Sequence, residues 1–304
     1  MTPISVMVKL LYWPICRAYA RFIIRDRPSD FIQRFLCSFQ FWGVHRFWPN
    51  FENPRRFSEK IWRRMFSDRN LIFTQISDKL HVREYVANKI GNDYLIPLLW
   101  RGENPYLIPF DSLPDKFVIK ANHGCGYNII VKNKAGLDFD KTRLQLNKWL
   151  NENFCTDKYL GTEWGYKNIK RAILVESLIE ENGEAPKDYK FWCFSGRVEC
   201  ISIHFGRYTG HTFQAFDRNF ESIDFGFGPK LPAYGGKFEK PTNFEKMLDI
   251  AESLAEGFSF IRVDLYSLPT NIYFGELTLY PGGVSVEFVP DSWDYTLGEK
   301  WKGI

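Results

Sequence analysis

Cysteine is scarce in this chain, and the way its few cysteines are spread removes two classes of protein. Only six of the 304 residues are Cys, and no two of them form a C-x-x-C pair. Neither a disulfide framework nor a zinc site is therefore indicated by their spacing. Reduced thiols in the cytosol are the expectation for such a pattern, and with them a cytoplasmic protein.

Long apolar runs and a strong charge of one sign are lacking as well. The opening stretch is apolar, but Lys9, Arg17, Arg21 and Arg25 interrupt it and no small-residue cleavage site follows. We therefore expect neither a signal peptide nor a transmembrane helix, which needs about 20 consecutive apolar residues. The formal net charge of +4 is too mild to indicate a nucleic-acid partner.

Apolar and aromatic side chains, by contrast, are abundant, at 45% and 17% of the residues. That content can bury a large core in one to three domains. Helical patterns dominate the first third of the chain, and strands alternate with helices afterwards. The predicted elements are helices within 56–90, strands at 117–120, 129–131 and 173–176, a helix at 141–151, a hairpin starting with 188–194, a helix at 244–256 and a strand at 258–265.

Residues 1–48 form a basic, aromatic segment. Arg17, Arg21 and Arg25 follow Pro14 at helical spacing and make one stripe, and aromatic residues are frequent from there to Trp48. A helix of this kind can lie on an anionic membrane surface. The alternative is a docked helix whose arginine face is solvated.

Two acids at the ends of neighbouring strands are the most informative feature of the sequence. Asp264 ends one apolar strand, Glu276 ends the next, and the turn between them contains Pro269 and Asn271. Such a hairpin brings the two carboxylates side by side, next to Arg262. Carboxylates suit Mg²⁺, a hard cation that takes oxygen ligands and binds substrate phosphates. The competing interpretation is an ordinary hairpin whose acids face solvent.

A glycine-containing loop joins the predicted strands at 117–120 and 129–131. Gly124 and Gly126 lie in this loop, and glycine lets backbone N–H groups approach a phosphate closely. Lys120 ends the entering strand, so its ammonium group can reach the same phosphates. By itself, a Gly-x-Gly loop is also typical of a plain hairpin turn.

The order of these features resembles the ATP-grasp superfamily of carboxylate–amine ligases, and most of all the TupA-like ATP-grasp family of polysaccharide biosynthesis proteins. The matching blocks run from Lys120 to Asn128, from Asp188 to Phe191, from Arg262 to Tyr266 and from Phe274 to Thr278. The resemblance implies an α+β, ATP-grasp fold with the nucleotide held between two subdomains and a helical N-terminal extension. The implied parts are the N-terminal segment 1–48, an N-terminal subdomain 49–115, a small subdomain with the glycine loop 116–176 and a C-terminal subdomain with the metal site 177–304.

The resemblance implies a nucleotide site made of lysines, a backbone loop and a hinge strand. His123, in the same loop, either touches phosphate or satisfies the turn. The implied contacts of ATP are Lys79 and Lys120 on the phosphates, the backbone of Gly124, Cys125 and Gly126 over the β- and γ-phosphates, Glu176 with the main chain of Ser177 and Leu178 at the adenine edge, Asp188 at the ribose and Lys190 on the triphosphate.

At the hairpin, the resemblance implies that Asp264 and Glu276 bind two Mg²⁺ ions, with Glu276 bridging them. The related ligases place Asn where this chain has Thr278, so Thr278 either binds the metal directly or holds a metal-bound water. Arg262, together with Lys190, would stabilise charge on the transferring phosphate.

The implied reaction joins a carboxylate to an amine through an acyl phosphate, with the backbone N–H groups of Gly282 and Gly283 as an oxyanion hole. The setting would be a surface polysaccharide, in which an amino acid amine is attached to a uronic acid of a lipid-linked glycan at the inner face of the cytoplasmic membrane. Candidate substrate contacts are His204, Arg207, Tyr208, Tyr280 and Trp293.

Two other functions use the same residues. A kinase acting on a sugar hydroxyl needs the nucleotide and metal groups but no amine. A binding module that has lost catalysis needs the nucleotide groups alone, although the presence of Arg262, Asp264 and Glu276 together argues against it. The Pro281–Gly283 turn favours the ligase over the kinase.

Overall fold

The computed structural model of the chain describes residues 30–159, 162–206, 210–228 and 231–304. The helices of this part are α1 (Asp30–His45), α2 (Phe57–Ser67), α3 (Ile72–Ser77), α4 (Val82–Ile90), α5 (Phe139–Asn151), α6 (Phe154–Tyr159), α7 (Phe244–Ala255) and α8 (Ser292–Lys300). The strands are β1 (Leu98–Gly102), β2 (Phe117–Ala121), β3 (Asn128–Val131), β4 (Ile173–Ser177), β5 (Asp188–Phe194), β6 (Arg197–Phe205), β7 (Thr212–Asp217), β8 (Ser222–Ile223), β9 (Gly226–Phe227), β10 (Phe260–Ser267), β11 (Ile272–Thr278) and β12 (Phe288–Val289).

A four-stranded antiparallel sheet carries the glycine loop between β2 and β3. Its strand order is β1-β4-β2-β3, so β2 and β4 are central. Their apolar side chains, such as Phe117, Ile119 and Val175, are fully buried. Helix α5 packs on β2 and adds Leu146 to the same core. Strand β1 belongs to this sheet although it lies in the segment 49–115, outside the predicted small subdomain.

A six-stranded antiparallel sheet carries the acidic hairpin. Its strand order is β11-β10-β5-β6-β7-β8. In this register Asp264 on β10 lies opposite Glu276 on β11 and opposite Lys190 on β5. Because directly opposed residues point to the same face, pairing alone sets these three charged side chains in one row. Helix α7 covers the other face of β5 and β10 with buried residues such as Leu248 and Ala251.

Helix α2 is attached to the large sheet by aromatic rings and one buried arginine. The Phe57 ring meets the Phe260 ring edge-on at 4.8 Å, and Trp301 lies 4.8 Å from Phe260. Arg64 is 1% exposed, donates to the Phe260 carbonyl at 2.9 Å and lies 4.3 Å from the Trp301 ring. Burial lowers the pKa of Arg64 to about 10, so it still carries its charge at neutral pH.

The predicted elements occur close to their predicted positions. The strand at 258–265 begins two residues later, as β10, and the hairpin after 188–194 turns at Ser195 and Gly196, both with positive φ. The sequence did not predict β7, β8, β9, β12 or α8. Of these, β8, β9 and β12 have only two residues, and strands of that length give no periodic pattern. The arginine stripe at Arg17, Arg21 and Arg25 lies outside the described residues. No helix within the described ranges is long and apolar enough to span a membrane.

Candidate nucleotide and metal site

A cavity of about 400 Å³ is lined by residues of both sheets and of the α3–α4 region. One part of its wall is apolar and another part is charged. The apolar lining includes Ile76, Val82, Leu95, Ile96, Val118, Leu178 and Phe274, and the charged lining is Lys79, Arg83, Lys120, Glu176, Asp188, Asp264 and Glu276. Such a division suits a ligand with a flat apolar ring at one end and several negative charges at the other.

On the small sheet, the carboxylate of Glu176 is held between two cations. Lys120 Nζ donates to Glu176 Oε2 at 2.6 Å, and Arg83 Nη1 donates to Glu176 Oε1 at 2.8 Å. Arg83 also donates to the Ile96 carbonyl at 2.9 Å. The carboxylate of Glu176 is therefore engaged by Lys120 and Arg83, and its role at the adenine edge stays a prediction. The Ser177 N–H donates to the Pro97 carbonyl at 3.0 Å, and Ser177 and Leu178 both line the cavity.

The turn before α4 is tied to the glycine loop. Asn122 Nδ2 donates to Asp78 Oδ1 and to the Lys170 carbonyl, both at 2.9 Å, and Asn122 Oδ1 accepts from the Ala172 N–H at 2.7 Å. Lys79, the next residue, donates through Nζ to the Gly124 carbonyl. Burial lowers the pKa of Lys79, and the charge of Glu276 partly offsets that effect. The ammonium group thus lies where the loop and the acidic hairpin both reach it.

The glycine loop faces the cavity with its backbone and turns its histidine away. Cys125 and Gly126 line the cavity, and within the described residues no acceptor takes the N–H groups of Gly124 and Gly126. His123 is 2% exposed, and its Nε2 lies 3.0 Å from the Trp149 carbonyl oxygen. Burial lowers the pKa of His123, so the ring is neutral at physiological pH. Of the two roles considered for His123, the structure supports the one in which it holds the turn.

On the large sheet, Asp264 lies between two cations as well. Arg262 donates from Nε and Nη2 to the two carboxylate oxygens of Asp264, each at 2.7 Å. Lys190 Nζ contacts Asp264 and also lies 2.7 Å from Asp188 Oδ2. Burial acts to lower the pKa of Arg262, but the charges of Asp264, Glu276 and Asp188 outweigh it and raise the pKa. The predicted ribose ligand Asp188 therefore lies beside Lys190, the residue predicted to contact the triphosphate.

The remaining hairpin groups extend this cluster toward the cavity. Arg262 Nη2 donates to Glu276 Oε1 and to Thr278 Oγ1, each at 3.0 Å, and Thr278 Oγ1 donates to Glu276 Oε1 at 2.9 Å. Within the described residues no group of three or more His, Cys, Asp and Glu could hold a metal ion by itself. Two carboxylates with a hydroxyl nearby nevertheless fit Mg²⁺, which is typically held by one or two carboxylates together with substrate phosphates.

The turn after the hairpin has a conformation that requires glycine. Gly282 and Gly283 have φ of +68° and +57°, and a Cβ at Gly282 would come within 1.9 Å of the Val286 side chain. The Gly283 N–H donates to the Tyr280 carbonyl at 3.0 Å. The Gly283 donor is thus engaged within the turn, whereas the described residues offer no acceptor for the Gly282 N–H. The oxyanion hole stays a prediction, and Gly282 is the better placed donor for it.

The candidate substrate residues do not line this cavity. His204 pairs with His211 at 2.9 Å, and Trp293 donates to Asp224 at 2.8 Å. Tyr280 is 5% exposed and lies beneath the turn. Arg207, like Tyr208, lies outside the described residues. The pairings of His204 and Trp293 explain their positions without a substrate.

Arg83 and Asn122 are the residues of this site that the sequence did not reveal. Arg83 follows Lys79 by four residues, a spacing that keeps two side chains near one another when a helix begins between them. That spacing was the available signal for Arg83. Asn122 was visible only as part of the glycine loop, and its three hydrogen bonds join segments that are far apart in sequence.

The described cavity is lined by residues of two antiparallel sheets, and its charged groups include Lys79 and Lys120 together with Glu176, Asp264 and Glu276. The family model of the TupA-like ATP-grasp proteins matches residues 59–302. The chain therefore belongs to the TupA-like ATP-grasp family, as the sequence blocks predicted. A search of curated proteins gives no match to the chain.

Several solved ATP-grasp enzymes are similar in structure. D-alanine–D-alanine ligase from Bacillus anthracis is 16% identical, with a TM-score of 0.41 over 75% of this chain and 67% of that one. ATP-grasp ligase PsnB, in complex with a phosphomimetic variant of its minimal precursor, Mg and ADP, is 10% identical, with a TM-score of 0.42 over 81% of this chain and 66% of that one. N5-carboxyaminoimidazole ribonucleotide synthetase from Thermus thermophilus is 10% identical, with a TM-score of 0.37 over 67% and 45%. This chain thus spans about half to two thirds of the length of these proteins.

Proposed function

We propose that this protein is an ATP-dependent carboxylate–amine ligase that forms an amide through an acyl phosphate. The observation that carries the proposal is the row of Lys190, Asp264 and Glu276, whose two acids line the cavity, with the turn at Gly282 a few residues after Glu276. In this proposal Lys190 would contact the triphosphate, Asp264 and Glu276 would bind the divalent cation, and the Gly282 N–H would contact the acyl group.

The nucleotide would bind with its base at the apolar end of the cavity. Val82, Val118 and Leu178 offer apolar surface for a planar ring. Lys79 and Lys120 lie on the charged side, where they would contact the phosphates from two directions. Both ammonium groups already have oxygen partners, the Gly124 carbonyl and Glu176, so phosphate oxygens would compete with groups of the same kind.

Asp264 and Glu276 would hold Mg²⁺, two ions in our proposal, with Glu276 shared between them and the Thr278 hydroxyl as a further oxygen. Bound Mg²⁺ would neutralise phosphate charge and orient the transfer. Arg262 contacts all three of these residues, so it fixes their relative positions and brings one positive charge to the transferring phosphoryl group.

In the first step a carboxylate oxygen of the acceptor attacks the γ-phosphorus of ATP, the bond to the β-phosphate oxygen breaks, and ADP leaves. In the second step the amine nitrogen attacks the acyl carbon of the resulting acyl phosphate. The bond from that carbon to the phosphate oxygen breaks, inorganic phosphate leaves, and the nitrogen loses a proton to solvent. The Gly282 N–H would stabilise the oxyanion formed between these events.

For the substrates we propose a uronic acid of a surface polysaccharide (capsule, O-antigen or teichuronic type) as the carboxylate and an amino acid as the amine. The support is the resemblance of the Lys120–Asn128 and Arg262–Tyr266 blocks to polysaccharide biosynthesis proteins. Mass spectrometry of the surface glycan from a strain that lacks the protein tests this assignment. An unchanged glycan would exclude it.

We further propose that the protein works at the inner face of the cytoplasmic membrane on a lipid-linked glycan. Phe35 on α1 and Trp48 after it are 56% and 53% exposed, and the Trp42 ring stacks on Trp48. Exposed Trp and Phe beside arginines suit a membrane interface. Removing residues 1–48 should release the protein from vesicles containing anionic lipid, whereas equal binding by the shortened protein would contradict the proposal.

The ligase proposal is tested by measuring ADP release with ATP, Mg²⁺, a uronic-acid oligosaccharide and a mixture of amino acids. We expect ADP release to depend on both acceptors and mass spectrometry to find an amide. Phosphate retained on the sugar would identify a kinase instead. Nucleotide binding without turnover under any of these conditions would identify a binding module, and both results would overturn the ligase.

A further inference from the structure

A buried carboxylate outside the nucleotide cavity is left without a cation. Glu163 lies just before the short turn Trp164–Tyr166, between α6 and β4, and is 7% exposed. Across the described part of the chain, no side chain forms an ion pair with Glu163 and no group donates a hydrogen bond to its carboxylate. A charged carboxylate in such a place is unfavourable unless a partner arrives.

The fold forces Glu163 into this position. The turn that follows it packs against α3, and Gly165 permits the approach, because a Cβ there would lie 2.5 Å from Ser77 Oγ. On its other side, Glu163 lies against the Pro-Gly-Gly turn, since a methyl group added at Gly283 would be 3.6 Å from Glu163 Oε1. Glu163 is therefore next to the turn that follows the acidic hairpin, at the acyl end of the site.

A second unsatisfied polar group lies beside the same turn. Tyr280 is 5% exposed, and its hydroxyl has no hydrogen-bond partner in the described structure. The Gly283 N–H donates to the Tyr280 carbonyl at 3.0 Å, so Tyr280 and Glu163 both flank this turn. Buried polar groups are rarely left unpaired, and two of them at one place indicate a ligand that supplies donors.

Charge and position together define that ligand. An unpaired carboxylate selects a cation, and a hydroxyl with free lone pairs accepts from an N–H donor. The metal-binding acids Asp264 and Glu276 lie on the cavity side, whereas Glu163 does not line the nucleotide cavity. A protonated amino group carries one positive charge and three donors, which match both groups.

We infer that Glu163, with the Tyr280 hydroxyl, binds the protonated amino group of the amine substrate and so places it beside the acyl carbon, where it loses one proton to solvent before its nitrogen attacks. The inference rests on the proposed ligase activity and deepens it by naming the residues that select a cationic amine. It also explains why the structure keeps two unsatisfied groups here, because substrate sites commonly retain such groups at a cost in stability.

The test compares two nucleophiles in Glu163→Gln. Amino acids present a protonated amine, whereas hydroxylamine is uncharged near neutral pH and traps an acyl phosphate as a hydroxamate. The wild type and the variant receive ATP, Mg²⁺, a uronic-acid oligosaccharide and either the amino acid mixture or hydroxylamine. We expect the KM for the amino acids to rise about tenfold or more, and the ratio of amide to hydroxamate to fall by a similar factor.

Two further variants control for folding and for charge. Glu103→Gln removes an exposed carboxylate paired with Lys170 and should leave the amide-to-hydroxamate ratio at the wild-type value. Glu163→Asp keeps the charge and should recover part of the amino acid KM. Glu163→Gln should unfold at the same temperature as the wild type or higher, because an uncharged amide replaces a buried carboxyl group that has no partner among the described residues. A clear loss of thermal stability would point to a structural role and overturn the inference.

The outcomes separate the two proposals. A wild type that forms neither amide nor hydroxamate defeats the ligase, and the inference with it. A wild type that forms both, together with a Glu163→Gln variant whose amide-to-hydroxamate ratio is unchanged, defeats the inference and leaves the ligase standing. A variant that loses hydroxamate and amide equally places Glu163 in the phosphoryl step and also contradicts the inference.

Discussion

Two buried charge clusters face the same cavity, one on each sheet, and they are built alike. On the small sheet Glu176 lies between Lys120 and Arg83, and on the large sheet Asp264 lies between Lys190 and Arg262. The side chains of the two carboxylates are 8% and 3% exposed. In each case the two cations satisfy a carboxylate that burial would otherwise destabilise.

The difference between the clusters is the second acid. Glu276 joins the large-sheet cluster through Arg262 and is 43% exposed, so one carboxylate there stays open to a ligand. In the small-sheet cluster both carboxylate oxygens of Glu176 are taken by cations of the protein. The small-sheet cluster therefore stabilises the fold around Glu176. The large-sheet cluster also leaves the Glu276 carboxylate open to a ligand.

The strongest test of this comparison removes the open acid. Glu276→Ala should lower the rate of ADP release roughly 100- to 1,000-fold, because the charge stabilisation that a metal ion supplies is worth several kcal/mol. The free energy of unfolding should change little, since Glu276 is half-exposed. Urea unfolding measures the second quantity. Near-normal turnover in Glu276→Ala would remove the metal assignment, and Glu299→Ala, an exposed acid on α8, is the matched control.

Two matched arginine variants test whether each cluster only stabilises the fold or also takes part in the reaction. Arg83→Met and Arg262→Met each leave a buried carboxylate with one of its two cations. Both should lower the free energy of unfolding by about 2 kcal/mol. Turnover should fall at least about tenfold further in Arg262→Met, because in the proposed mechanism only Arg262 contacts the transferring phosphoryl group. Steady-state kinetics measures the turnover of each variant, and urea unfolding measures its free energy of unfolding. Equal losses of turnover would show that the two clusters contribute equally to the reaction.

Glu163 extends the comparison, because no cation among the described residues pairs with its carboxyl group. Burial raises the pKa of Glu163 from 4.5 to about 8, and the charge of Glu276 adds to the shift. The folded state therefore holds this proton while the unfolded state releases it, so the stabilising contribution is complete below pH 4.5 and is lost as pH rises toward 8. Relative to Glu163→Gln, the wild type should lose up to about 1.4 kcal/mol of unfolding free energy per pH unit in this window.

Urea unfolding at pH 5, 6, 7 and 8 measures that difference for the two proteins. Glu103→Gln serves as the control, because its carboxylate is exposed and paired with Lys170. Its unfolding free energy should follow the wild type at every pH. Parallel profiles for the wild type and Glu163→Gln would show that Glu163 titrates normally in the folded state.

The acidic hairpin could be predicted because its geometry is local. Asp264 and Glu276 lie on consecutive strands joined by a short turn, so their pairing follows from the turn and the period of two. Lys120 and Lys190 were found for the same reason, as strand residues beside recognisable loops. The ion pair of Glu176 with Arg83 was not predicted, because Arg83 reaches it from a different element.

The hydrogen-bond partners of the backbone N–H groups and of His123 could not be predicted from the sequence either. Gly282 and Gly283 were equivalent in the sequence, and only the hydrogen bond from the Gly283 N–H to the Tyr280 carbonyl distinguishes them. His123 had two possible roles until its burial beside the Trp149 carbonyl supported one of them. In each case the deciding fact is which acceptor a donor meets in the folded chain.

The sequence by itself determined the family, the order of most elements and the positions of the lysines and acids on strands and loops, because these depend on short-range spacing along the chain. The tertiary structure alone decided that Glu176 lies between two cations, that one of two glycine N–H groups is already used, and that Glu163 is buried without a partner among the described residues. Burial and hydrogen-bond satisfaction arise where segments distant in sequence meet, and no local pattern specifies them.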